Sequence, residues 1–258
     1  MSNNTTDEKL VQLLKELHLP TIRGLYKTQA EIAVKESLSY EDYLLELLER
    51  EVEIRRDNKI KRLLKESKLP LEKSMESFQR KRLPRKLDMQ INSLIEGSFI
   101  DRKENVLAFG NPGSGKTHLL CAIAQEIIYK GRKVLFKQCN ILVQEMLIAK
   151  RNLRLPKLLN KLSRYELLII DDIGYVQQNR EEMEVLFTLL ADRYERGSIM
   201  ITSNLTFSKW EQIFKDPMTT AAAIDRLVHH SIILELNLPS YRLEESQNKK
   251  ILSNEKLK

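Results

Sequence analysis

Gly110-Asn111-Pro112-Gly113-Ser114-Gly115-Lys116-Thr117 is the stretch that decides how this chain folds. It satisfies every fixed position of the pattern G-x-x-x-x-G-K-[ST], whose chemistry is the cradling of a polyphosphate. Glycines at 110, 113 and 115 let the backbone turn closely, with successive N–H groups pointing inward as an anion nest. Lys116 adds a mobile positive charge for the outer phosphates, and the Thr117 hydroxyl is an oxygen ligand for Mg²⁺. The flanks agree. Val106-Leu107-Ala108-Phe109 is a short buried-strand run, and His118 to Ala124 continues as an apolar helix. Strand, glycine loop and helix in this order predict a nucleoside triphosphate site built from residues 110–117.

Four more apolar runs follow: Val134-Leu135-Phe136, Leu167-Leu168-Ile169-Ile170, Ile199-Met200-Ile201 and Ile232-Ile233-Leu234. Each is separated from the next by enough chain for a helical crossover. The expected fold class is therefore α/β: a P-loop core with a parallel five-stranded sheet covered by helices. The N-terminal third reads differently, as helices alone. Thr5 to Glu8 has the form of a capping box before leucines at helical spacing. Pro20 breaks that element, and a third helix starts at Ser39 and Asp42 and runs to about Lys68. Residues 69–86, with Leu69-Pro70, two serines and Arg80-Lys81-Arg82, read as a basic linker. The expected division is thus a helical domain over 1–68, a linker over 69–86 and an ATPase domain over 87–258.

Two acids end the third apolar run, Asp171-Asp172. Carboxylates at the C-terminal edge of a parallel strand lie where ligands bind in open α/β sheets. Asp171 is the candidate for the Mg²⁺ shell, opposite Thr117, and Asp172 for polarising the attacking water. The fourth run ends Ile201-Thr202-Ser203-Asn204, whose amide is placed to orient that water or touch the γ-phosphate. Arg226, in Ala221-Ala222-Ala223-Ile224-Asp225-Arg226-Leu227, reads either as a partner of a local acid or as an arginine finger reaching a neighbour's nucleotide. Arg242, in Ser240-Tyr241-Arg242, reads as a second phosphate-sensing cation. The short remainder after it predicts that no helical lid follows.

The net charge of +7 is unevenly placed. Residues 1–49 carry a balance of −4, residues 50–88 of +7 and residues 89–258 of +4. Such asymmetry points to a polyanionic partner. Two stretches are candidates for phosphate contact: Arg55, Arg56, Lys59 and Arg62, and then Lys150, Arg151, Arg154 and Lys157. The second lies in a window, 146–165, with six basic side chains and no acid. Each stretch reads equally as a solvated helix face. No run is long and apolar enough for a membrane span, and no signal peptide is apparent. Cys121 and Cys139 sit in apolar segments, as buried thiols of a cytoplasmic protein would. The four histidines lack metal-ligand spacing.

These motifs in this order resemble a P-loop ATPase of the AAA+ class. The chain further resembles the IstB-type transposition helper ATPases of insertion sequences, which are related to the DnaC helicase loaders. The resemblance rests on Leu19-Pro20-Thr21-Ile22, Tyr40 to Arg62, the loop 110–117, Leu167 to Gly174, Ile201 to Asn204, Asp225-Arg226-Leu227 and Ser240-Tyr241-Arg242. It implies ATP and Mg²⁺ as cofactors and ATP-dependent homo-oligomers. It also implies double-stranded DNA bound without strong sequence preference, and a partner transposase. By the same resemblance Lys116, Thr117, Asp171, Asp172, Asn204, Arg226 and Arg242 are its functional positions. Asp-Asp stands where many AAA+ proteins have Asp-Glu, which implies a slow, switch-like ATPase. A helicase loader, a small-molecule P-loop kinase and a non-catalytic scaffold are the competing readings.

Overall fold

Proline has no N–H to donate but suits the first turn of a helix, so Pro20 ends one element and opens the next. A computed structural model describes residues 2–173, 180–205, 210 and 227–241, without the side chains of residues 2–4. Its first helices are α1 (Ser2–Glu16), α2 (Pro20–Glu36) and α3 (Tyr40–Ser67). Because α1 begins at Ser2, Thr5 lies inside the first turns rather than at a cap. Ser39 does cap α3: its Oγ accepts the Asp42 N–H at 3.0 Å and donates to the Asp42 carboxylate at 2.7 Å.

The chain divides into two compact units, Met1–Arg62 and Leu63–Lys258. The first has a small core of Leu14, Ile22 and Leu47, with Leu19, Tyr26 and Tyr43 packed on it. Its buried carboxylate is Glu51 of α3. Oε2 accepts the N–H groups of Thr21 at 2.8 Å and Ile22 at 3.1 Å, and Oε1 accepts Arg55 Nε at 2.7 Å. No side chain of α2 itself caps its start, so a carboxylate from the next helix serves the orphan donors.

In the second unit the stretch expected as a linker is packed. Leu69 is buried, and Met75, Phe78 and Leu83 lie against the main core, with a 3-10 turn at Arg80–Arg82. Their irregular spacing gives no periodic signal; tertiary contact alone buries them. Then follow α4 (Arg85–Glu96), α5 (Ser98–Asp101), β1 (Asn105–Gly110), α6 (Lys116–Tyr129), β2 (Val134–Gln138), α7 (Cys139–Arg151), α8 (Leu155–Leu162), β3 (Leu167–Ile173), α9 (Arg180–Arg193), β4 (Ser198–Ser203) and β5 (Ser231–Leu236). Among the described residues the sheet has five strands in the order β2-β3-β4-β1-β5, each neighbouring pair parallel.

Alternation along the strands splits the core in two. Val106 and Ala108 face α4 and α6, while Leu107 and Phe109 face α7, α8 and α9. Both cysteines are buried thiols outside any disulfide, and burial pushes the Cys121 thiol up to about 12, leaving it neutral. At the starts of β3 and β4, Arg193 is also buried. Its guanidinium donates to the carbonyls of Leu162, Tyr165, Glu166 and Ser198, tying β3 and β4 together at their starts. Burial lowers its pKa to about 10, still charged at neutral pH. A Cβ on Gly197 would stand 2.6 Å from that guanidinium and would force it to shift.

Candidate functional site: a phosphate loop closed by a polar ring

The order β2-β3-β4-β1-β5 brings the ends of β1, β3 and β4 side by side, so residues distant in sequence meet at one edge. The loop leaves β1 with positive φ at Gly110, Gly113 and Gly115. A Cβ on Gly110 would lie 2.3 Å from the Leu236 carbonyl oxygen, and one on Gly113 would lie 2.1 Å from Ser240 Oγ. The segment after β5 is therefore pressed against the loop, and Tyr241 N–H donates to the Gly113 carbonyl at 3.1 Å. No side chain caps the first turn of α6. Ser114 Oγ is buried without a partner among the described residues. Uncapped N–H groups, a glycine cradle and an unused hydroxyl fit the negative oxygens of a polyphosphate.

Lys116 opens α6 and is only 6% exposed. Its ammonium donates to the carbonyls of Gly110 at 2.8 Å and Asn111 at 2.9 Å, and to Asn204 Oδ1 at 2.6 Å. Asn204 Nδ2 in turn donates to Asp172 Oδ1 at 3.2 Å. Asp172 N–H donates to Thr202 Oγ1 at 2.7 Å, and Thr202 Oγ1 donates to Asp171 Oδ1 at 2.7 Å. The same Asp171 oxygen accepts Thr117 Oγ1 at 2.7 Å. Since Thr117 follows Lys116, these six residues form a closed ring that joins the start of α6 to β3 and the end of β4.

Backbone geometry makes the ring. The β3–β4 register shifts between Ile170 and Ile173, and Asp172 sits in that irregularity with φ +67°. A bulge re-aims side chains, and aspartate tolerates left-handed backbone better than most residues. Asp171 and Asp172 thereby reach the same edge although they are neighbours on a strand. Thr117 and Asp171 present hard oxygens at one point, a donor set that suits Mg²⁺. Thr202 escaped the sequence reading; its signal was a lone hydroxyl in the otherwise apolar Ile199-Met200-Ile201-Thr202.

Behind the loop, Phe78 approaches Gly115 and stacks edge-on with His118, centroids 5.2 Å apart. His118 Nε2 lies 3.0 Å from the Ser74 carbonyl, the structural role expected of it. Trp210 is fully buried, as a core residue. Arg226 and Arg242 lie outside the described residues.

The basic candidates differ in their surroundings. Arg55 is bound to Glu51, Lys150 to Glu184 at 2.8 Å and Arg151 to Glu181 at 3.9 Å. Arg56 and Lys59 are exposed on α3, as is Arg62. Arg154 and Lys157 line a groove of about 750 Å³ between α7 and α8, together with Lys161 and Arg164, the remaining basic residues of the 146–165 window. These four are exposed, and none of them pairs with an acid among the described residues. Among the described residues no three His, Cys, Asp or Glu side chains come together as a metal-holding group, and no helix is long and apolar enough to cross a membrane.

Comparison with known proteins agrees with this geometry. The family model for IstB-like ATP binding proteins matches residues 12–249. An insertion sequence ATP-binding protein of Sinorhizobium fredii is 41% identical over 250 residues, covering 96% of this chain and 84% of the relative. One from Geobacillus stearothermophilus is 38% identical over 240 residues, covering 93% and 96%. That of insertion sequence IS21 of Pseudomonas aeruginosa is 36% identical over 246 residues, covering 95% and 92%. In all three names the ATP binding is itself an inference. Two solved structures share the fold. DnaI matches with a TM-score of 0.52 at 20% identity, over 65% of this chain and 89% of that one. Domain III of the Thermotoga maritima replication initiation protein DnaA matches with 0.55 at 17%, over 72% and 76%. With the loop, the strand order and the matched length in agreement, the chain belongs to the IstB-like ATP binding protein family.

Proposed function

We propose that this chain is an Mg²⁺-dependent ATPase that assembles with further copies of itself on double-stranded DNA and stimulates a transposase. The observation that carries the catalytic half is the closed ring Lys116–Asn204–Asp172–Thr202–Asp171–Thr117, which joins the phosphate loop to two carboxylates. The transposase half rests on the insertion sequence relatives.

In this reading the triphosphate enters the glycine cradle, and Lys116 exchanges loop carbonyls for phosphate oxygens. Thr117 and Asp171 would hold Mg²⁺, which would supply neutralisation of the phosphate charge. Asp172 accepts a proton from the water whose oxygen attacks the γ-phosphorus, and ADP leaves with the bond electrons. Asn204, bonded to both Lys116 and Asp172, holds the two groups in register. Arg226 of a neighbouring copy completes the site, so loss of the γ-phosphate loosens the assembly. ATP acts as a clasp on the DNA-bound state.

Asp172→Asn keeps the size of the side chain and removes the base. It should lower phosphate release by about 100-fold or more while ATP still binds. Unchanged release would remove Asp172 from catalysis. In the same preparation, wild type with ATP should raise strand transfer by the adjacent transposase. If it instead captures a replicative helicase and leaves strand transfer unchanged, the loader reading replaces this one.

A further inference from the structure

The turn between α7 and α8 carries an unusual residue for its position. Arg154 N–H bonds the Ala149 carbonyl at 2.7 Å, and Leu153 N–H bonds the Lys150 carbonyl at 3.0 Å. This pair of bonds is the Schellman closure of a helix, whose left-handed position is normally glycine or asparagine. Here it is Leu153, with φ +54°. Of the seven non-glycine residues with positive φ among those described, Leu153 is the one large aliphatic side chain. It is also 91% exposed, so the fold gains no packing from it.

The chain that follows the leucine is cationic. Arg154, Lys157, Lys161 and Arg164 come at helical spacing and line the groove between α7 and α8, whose one lining acid, Glu145, is paired with Lys137. Eight residues of α8 extend about 12 Å, the rise of three to four base pairs. An apolar side chain projecting from a turn, with a row of unengaged cations beside it, has the chemistry of a wedge. The cations hold phosphates while the side chain enters between two base pairs. An acidic protein surface would use the cations but would leave the strained, fully exposed leucine without a role.

We propose that Leu153 is a wedge that unstacks and kinks duplex DNA, positioned by phosphate contacts from Arg154, Lys157, Lys161 and Arg164. The inference rests on the reading that this chain binds DNA, and it adds the point of insertion and the mode. Strain at a position is a cost that glycine relieves. Leu153→Gly therefore removes the wedge while relaxing the backbone, and it folds at least as well as the parent.

The test uses the full chain with ATP and a 30-base-pair duplex carrying 2-aminopurine, with dyes at both ends. Wild type should raise 2-aminopurine fluorescence and shorten the end-to-end distance. Leu153→Gly should bind within about threefold of wild type, leave 2-aminopurine at the level of DNA alone, and keep its melting temperature and ATP hydrolysis. Lys161→Ala should do the converse: weaker binding, and a salt slope reduced by about one. If wild type binds DNA without unstacking, or Leu153→Gly unstacks it equally, the wedge is wrong and the DNA reading stands. If wild type does not bind duplex DNA at all, both fall together.

Discussion

One hydroxyl, Thr202 Oγ1, holds both candidate acids: it donates to Asp171 and accepts the N–H of Asp172, each at 2.7 Å. It is almost fully buried, so neither bond exchanges readily with water. Groups that orient a metal-binding carboxylate are typically worth about 10- to 100-fold in metal affinity or activity. Thr202→Val keeps the shape and deletes both bonds. It should raise the Mg²⁺ concentration needed for half-maximal binding of a fluorescent ATP analogue by about tenfold, and Thr202→Ser should restore it. If the valine variant binds nucleotide with unaltered Mg²⁺ dependence, Thr202 is only packing. At this scale the sequence named Lys116, Thr117, Asp171, Asp172 and Asn204 because each ends a recognisable motif. It passed over Thr202, since a threonine inside a strand is ordinary until its hydrogen bonds are known.

Among the elements, α2 depends on a residue it does not contain. Glu51 is buried, which by itself raises the carboxyl pKa. The Arg55 guanidinium and the N–H groups of Ile22 and Thr21 outweigh that and hold it below the ordinary 4.5. A carboxyl with a depressed folded pKa contributes stability that is present above its unfolded pKa and lost as pH falls through the folded one. The helical unit should accordingly melt at lower temperature as pH falls below about 4.5, and Glu51→Gln should flatten that dependence. A melting curve with the same pH slope in both proteins would remove Glu51 from the account. The periodicity of α1 to α3 was legible, because leucines recur at three- and four-residue spacing. The clamp was not, since Thr21 and Glu51 are 30 residues apart. The packed segment 69–86 escaped for a related reason: it has apolar residues but no period.

For the whole molecule the assembly is the question, and the arginine finger is its test. Arg226 lies outside the described residues, so its role is open to experiment in solution. Lys116→Ala and Arg226→Ala should each abolish hydrolysis alone. Mixed in equal amounts they should recover about a quarter of wild-type activity, the share of interfaces in a random mixture that pair an intact loop with an intact arginine. No recovery on mixing would place Arg226 in its own subunit's site or outside catalysis. The five parallel strands were readable as apolar runs spaced for crossovers. Their order was not, because a run of valine, leucine and isoleucine does not say which strand it will lie beside.

That order separates what the sequence determined from what the tertiary structure decided. The residues of the phosphate loop, the acids of β3 and the helical N-terminal third follow from local pattern, since backbone geometry at a glycine or a helix turn is set by near neighbours. The ring that makes those residues one site depends on contacts between residues up to 88 apart. Only packing β1 between β4 and β5, and β3 beside β4, brings Lys116 to Asn204 and Asp172 to Thr202 within hydrogen-bonding distance. Hydrogen bonds reach about 3 Å, so the site exists only once the sheet has formed.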